Sequence, residues 1–78
     1  MTLTPATCRA GRALLRWTQR KLAAEAHVAQ ATVADFERGA RDPIANNLRA
    51  LKWALEDGGV RFNDGHVWLY DPKALKQG

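Results

Sequence analysis

Seventy-eight residues suffice for one small domain and are too few for two. The composition is 46% hydrophobic and 26% charged, as in an ordinary globular protein, and every apolar run is far too short to span a membrane. The single Cys8 excludes an internal disulfide, and one Cys with two distant histidines, His27 and His66, offers no zinc-ligand spacing, so neither metal nor cofactor is expected. The N-terminus lacks the apolar stretch of a signal peptide, and a cytoplasmic protein is the expectation.

The net charge is +4 with a pI near 9.8, and it is unevenly placed. Residues 1–55 hold nine basic side chains (Arg9, Arg12, Arg16, Arg20, Lys21, Arg38, Arg41, Arg49, Lys52) against four acidic ones (Glu25, Asp35, Glu37, Asp42), a net of +5. Residues 56–78 carry three basic and four acidic residues, a net of −1. The basic excess of the first two thirds suits a polyanionic partner.

Thr4-Pro5 reads as a helix start. Threonine accepts at the N-cap, and proline fits the first helical position, where its missing N–H costs nothing. Cys8, Gly11, Leu14 and Leu15 then share one face, and Arg12 borders it, predicting a helix from about Pro5 to Arg16. Gly11 costs roughly 1 kcal/mol against alanine in a helix interior, so another element is expected to approach closely there. Thr18 caps a second, short helix, about Gln19 to Ala26, on the apolar set Leu22, Ala23 and Ala26. His27 interrupts, in a turn that needs a positive φ. Val33 and Phe36 mark a third helix from about Gln30 to Arg38, ended by Gly39. After the loop Arg41-Asp42-Pro43, the stripe Leu48, Leu51 and Leu55, with Ile44 one turn earlier, predicts a helix over about Ala45 to Asp57, with Trp53 roughly opposite the stripe. The period then changes. Val60-Arg61-Phe62 and Val67-Trp68-Leu69-Tyr70, around the turn residues Asn63-Asp64-Gly65, predict a β-hairpin over residues 60–70. Asp71-Pro72 breaks the second strand, and a frayed tail is expected from Lys73 onward.

Two short helices with a tight turn between them, and small residues where they cross, are the informative constellation. The segment Thr18-Gln19-Arg20-Lys21-Leu22-Ala23-Ala24-Glu25-Ala26, then Val28, then Thr32-Val33-Ala34-Asp35-Phe36-Glu37-Arg38-Gly39, resembles the helix-turn-helix of Cro/CI (XRE-type) transcriptional regulators. The resemblance extends over about residues 4–62, and His27 stands where the family has glycine. It implies a mainly α, four-helix, lambda-repressor-like DNA-binding domain, here followed by the hairpin. In such proteins the third helix enters the major groove of double-stranded DNA with its N-terminal residues near base edges. Carried over residue by residue, Gln30, Ala31 and Asp35 face bases. Glutamine pairs with adenine, alanine touches a thymine methyl, and aspartate accepts from cytosine N4. Thr18, Gln19, Thr32, Arg38 and Arg41 are placed for phosphates. The same resemblance implies a buried ion pair between Arg12 and Glu37.

Cys8, Trp17 and Trp68 are expected in the core, and His66 on the hairpin surface. No Ser/His/Asp set, phosphate loop or ligand cluster supports an enzyme. A second reading keeps the fold and makes the chain an antitoxin or accessory module with a protein partner. One helix-turn-helix reads only a few base pairs, so a homodimer on two half-sites is expected. Trp53 and the hairpin residues Val60, Phe62, Val67, Trp68, Leu69 and Tyr70 are the expected dimer surface, through edge-strand pairing. The competing arrangement folds the hairpin over the fourth helix and covers Trp53 within one chain.

Overall fold

A computed structural model describes residues 3–70 of the chain. The element order is α1 (Pro5–Leu15), α2 (Gln19–Ala26), α3 (Gln30–Glu37), α4 (Ala45–Gly58), β1 (Val60–Asn63) and β2 (His66–Leu69). The fold is mainly helical with a C-terminal antiparallel hairpin, and each element lies within a residue or two of its sequence pattern. The expected break at Asp71-Pro72 and the tail beyond it lie outside the described residues.

The helix starts follow capping chemistry. Thr4 Oγ1 accepts from the Thr7 amide at 3.1 Å while the Thr7 hydroxyl oxygen accepts from the Thr4 amide at 2.9 Å, a reciprocal box ahead of Pro5. Leu3 and Cys8 occupy the flanking staple positions, and both are buried. Thr18 Oγ1 accepts from the Lys21 amide at 3.0 Å and starts α2. The turn between α2 and α3 is left-handed at His27, with φ 58 and ψ 42. A second left-handed residue, Arg16, ends α1 at φ 59, with nothing in its side chain to announce it.

The core joins all four helices and the hairpin. Leu22, Val33, Leu51, Leu55, Val60 and Cys8 are fully buried, with Ala23, Ala26, Phe36 and Ala54 around them. Gly11 lets α4 close in: a Cβ there would sit 3.3 Å from Leu55 Cδ1 and 3.6 Å from Phe62 Cζ. At Gly58 an added Cβ would stand 2.9 Å from the Trp17 ring, so Trp17 lies against the end of α4 and packs on the core as expected.

Several placements differ from the sequence reading. Leu14 is left at the rim of α1, 37% exposed, because the buried arc runs through Thr7, Cys8, Gly11 and Leu15. Ile44 is 69% exposed: it is the N-cap of α4 in extended backbone, and so falls outside the stripe of Leu48, Leu51 and Leu55. Trp68 is not in the core. It pairs across the hairpin with Arg61 on the outward face, and a two-stranded sheet buries only one face. Val60, expected at the dimer surface, is wholly inside its own core, and Phe62 and Val67 pack partly against that core. The hairpin lies on α1 and the end of α4 and leaves Trp53 59% exposed, so it does not cover that ring.

Candidate nucleic-acid interface

Eight residues of α3 sort into two faces. Val33, Phe36 and Glu37 point inward and are buried, whereas Gln30 and Ala31 are exposed and Thr32, Ala34 and Asp35 are half-buried. Ala31, Thr32 and Asp35 line one wall of a cleft of about 280 Å³. Arg41, Asp42, Pro43, Ile44 and Asn47, from the following loop and the first turn of α4, line the other. The structure thus brings Ala31, Thr32, Asp35 and Arg41 together. Gln30 stands at the first position of α3, beside the left-handed turn that aims the helix.

Behind α3 a polar hub holds it in place. Arg12 from α1 grips the Glu37 carboxylate with both prongs, Nε to Oε2 at 2.7 Å and Nη2 to Oε1 at 2.7 Å. Its remaining nitrogen donates to the Trp17 carbonyl at 2.9 Å and so ties down the end of α1. Gln19 at the start of α2 donates to Glu37 Oε1 at 3.1 Å, the Cys8 thiol donates to Oε2 at 3.2 Å, and Arg9 donates to the Glu37 backbone carbonyl. Glu37 has only 3% of its side chain exposed, and every buried polar side-chain atom among the described residues has a partner.

This geometry fixes the protonation states. Burial by itself pushes the Glu37 carboxyl up, but the hydrogen bonds from Arg12, Gln19 and Cys8 and the Arg12 charge outweigh it and hold the group below the ordinary carboxylate range. Burial pushes the Cys8 thiol far up, and the hydrogen bond to Glu37 and its negative charge add to that. Cys8 therefore stays protonated and serves as a donor. The hydrogen bond to Glu37 raises the Arg12 guanidinium further.

The expected phosphate-facing residues are differently engaged. The Thr18 oxygen caps α2, leaving its hydroxyl hydrogen available, and one Gln19 amide hydrogen is committed to Glu37. Arg38 is 69% exposed and rests on Asp35, its Nη2 and Nε lying 2.9 and 3.2 Å from Oδ1. Arg41 is exposed at the cleft wall. Lys21 pairs with Glu25 at 2.7 Å and lies 5.7 Å from the centre of the Trp17 ring. The hydrogen bond and charge of Lys21 lower the Glu25 carboxyl.

Sequence reasoning missed Cys8, Arg9 and Gln19 as partners of Glu37. Cys8 and Arg12 are four residues apart on one helix face, a spacing that would have flagged the thiol. Gln19 reaches Glu37 only through tertiary structure and leaves no local signal. Among the described residues no three His, Cys, Asp or Glu side chains gather as a metal site, and no helix is long and apolar enough to cross a membrane.

A family model described as helix-turn-helix matches residues 9–51, more than half of the chain and the span from α1 into α4. No curated protein matches the chain.

Proposed function

From the chain's membership of the helix-turn-helix family of DNA-binding domains, in its Cro/CI-like branch, we propose that it is a sequence-specific regulator of transcription that lays α3 in the major groove of duplex DNA. The observation that carries this reading is the division of α3. Its inner face is fixed by Val33, Phe36 and Glu37, and its outer face offers Gln30, Ala31 and Asp35 with Arg41 beside them. A rigid helix with a free polar face, followed by an exposed arginine, is what groove reading requires. Gln30 suits adenine N6 and N7, and Ala31 suits a thymine methyl. Thr18, Gln19, Thr32, Arg38 and Arg41 are the side chains for the flanking phosphates, and Gln19 reaches them with the amide hydrogen that Glu37 leaves free. Binding of the chain to duplex DNA across a salt series tests this. Affinity falls steeply with salt, and Arg41→Ala weakens all duplexes alike and lowers the logarithmic salt slope by about one unit. Binding indifferent to salt refutes the reading.

The functional unit in this proposal is a two-fold dimer, because α3 alone spans too few base pairs for a useful site. The exposed side chains of Trp53, Trp68, Leu69 and Tyr70 and the unpaired hairpin edges support a second copy as their cover. Val60 serves the dimer only by shaping the hairpin, since its side chain lies in the core of its own chain, whereas Phe62 and Val67 are half-buried and keep an edge for the partner. Sedimentation of the wild type checks this. A monomer at tens of micromolar contradicts it, and Trp68→Lys shifts the equilibrium toward monomer if it holds.

A further inference from the structure

An acid on the outer face of α3 is unexpected in a surface built to meet phosphates. Asp35 lines the cleft beside Ala31 and Thr32, and between two phosphate strands a lone carboxylate is repelled. The structure supplies this carboxylate with its own cation. Arg38, one turn along, places Nη2 at 2.9 Å and Nε at 3.2 Å from Asp35, and both contacts fall on Oδ1. Two donors on one oxygen cancel the charge while leaving the lone pairs of Oδ2 for another donor. In the major groove such donors are exocyclic amines. Adenine sets the N7 acceptor next to its amine, which opposes a carboxylate oxygen. In its base pair cytosine N4–H has an acceptor, guanine O6, on one side only, whereas the adenine amine lies between N7 and thymine O4, so cytosine is the better match.

We infer that Arg38 is a positioning residue for base recognition: by holding Oδ1 of Asp35 it makes the carboxylate a charge-compensated acceptor for the N4 amine of a cytosine. This rests on the groove-reading role of α3 proposed above and changes the part given to Arg38. An arginine that only grasps phosphate strengthens every duplex by one factor. An arginine clamped to Asp35 acts through base preference. In the free protein the pair is exposed, 69% at Arg38 and 33% at Asp35, and such a pair adds little to folding. Its effect belongs to the groove, where excluded water strengthens the contact.

The test uses the full chain and duplexes differing by single base pairs around the sequence that the wild type selects from a random pool. Wild type, Asp35→Ala, Arg38→Gln, Arg38→Lys and the double variant Asp35→Ala/Arg38→Gln are titrated, and a thermal melt confirms that each folds. The wild type prefers cytosine at one position. Asp35→Ala reduces that preference about tenfold, Arg38→Gln reduces it about threefold or more, and Arg38→Lys restores most of it. In the Asp35→Ala background, Arg38→Gln leaves the relative preferences unchanged. If Arg38→Gln weakens all duplexes by the same factor in both backgrounds, Arg38 is a phosphate contact and the inference is wrong. Steep salt-dependent binding by the wild type without a cytosine preference also overturns it, while leaving the DNA-binding role intact. Absence of salt-dependent binding by the wild type removes that role, and the inference falls with it.

Discussion

Asp35 and Glu37 stand two residues apart on α3 and each holds an arginine, yet one pair belongs to the fold and the other to the surface. Glu37 faces inward, with 3% of its side chain exposed and the Arg12 fork closed on it at 2.7 Å. Asp35 faces outward, one third exposed, and its Arg38 partner is mostly in solvent. The same charges at similar distances differ because water competes for one pair and has been removed from the other. The buried pair is costly to assemble and very costly to break, whereas the exposed one is nearly neutral and free to respond to a ligand. One short helix thereby separates the residues that fix its position from those that present its chemistry.

Breaking the inner pair gives the largest expected effect. Arg12→Ala strands Glu37 and lowers unfolding free energy by about 3–5 kcal/mol, read by urea or thermal denaturation. A change under about 1 kcal/mol would show that Glu37 is rescued by Gln19, Cys8 and water alone. Acid attacks the same site. The folded-state value of Glu37 is depressed, so its contribution is fully present above the unfolded carboxylate value near 4.3 and disappears as pH falls through the lower folded value. Wild-type stability therefore drops as pH falls below the ordinary carboxylate range, and Glu37→Gln, already weaker at neutral pH, loses that part of the acid dependence.

On the outer face the effects move from folding to binding. Gln30→Ala costs about 1–3 kcal/mol on the selected duplex and leaves the melting temperature unchanged. The turn that aims both faces contributes a smaller term. His27→Gly relieves a left-handed residue and stabilises by about 1 kcal/mol, less the entropy that glycine adds to the unfolded chain. Smallest of all, Arg38→Ala or Asp35→Ala shifts folding stability by no more than about 0.5 kcal/mol. A larger loss would place this pair with the inner one and erase the contrast.

The helices were legible because local rules and the tertiary fold agree. Thr4-Pro5 and Thr18 set the starts of α1 and α2, Gly39 followed the end of α3, and Leu48, Leu51 and Leu55 described the packed side of α4. The exceptions have physical causes. Ile44 looked like another member of the stripe, but a cap residue is in extended backbone and follows no helical period. Trp68 looked like core because it is large and apolar, but strand alternation set it beside Arg61 on the open face. The left-handed Arg16 carries no residue signal, since α1 is closed by backbone bonds, Arg16 amide to Ala13 carbonyl at 3.1 Å and Trp17 amide to Arg12 carbonyl at 2.9 Å, with the Arg12 side chain adding a tie to the Trp17 carbonyl. At the interface, the outward positions on α3 were readable from the resemblance. The hub around Glu37 was only half readable, because Gln19 and Arg9 arrive through packing rather than spacing.

Parallel selection from a random duplex pool by the wild type and by Gln30→Ala tests most directly whether the outer face of α3 reads DNA. The account predicts that the wild type enriches a defined sequence, and that Gln30→Ala enriches the same sequence with one or two positions relaxed. Enrichment of an identical sequence by both proteins, with no position relaxed, would contradict it.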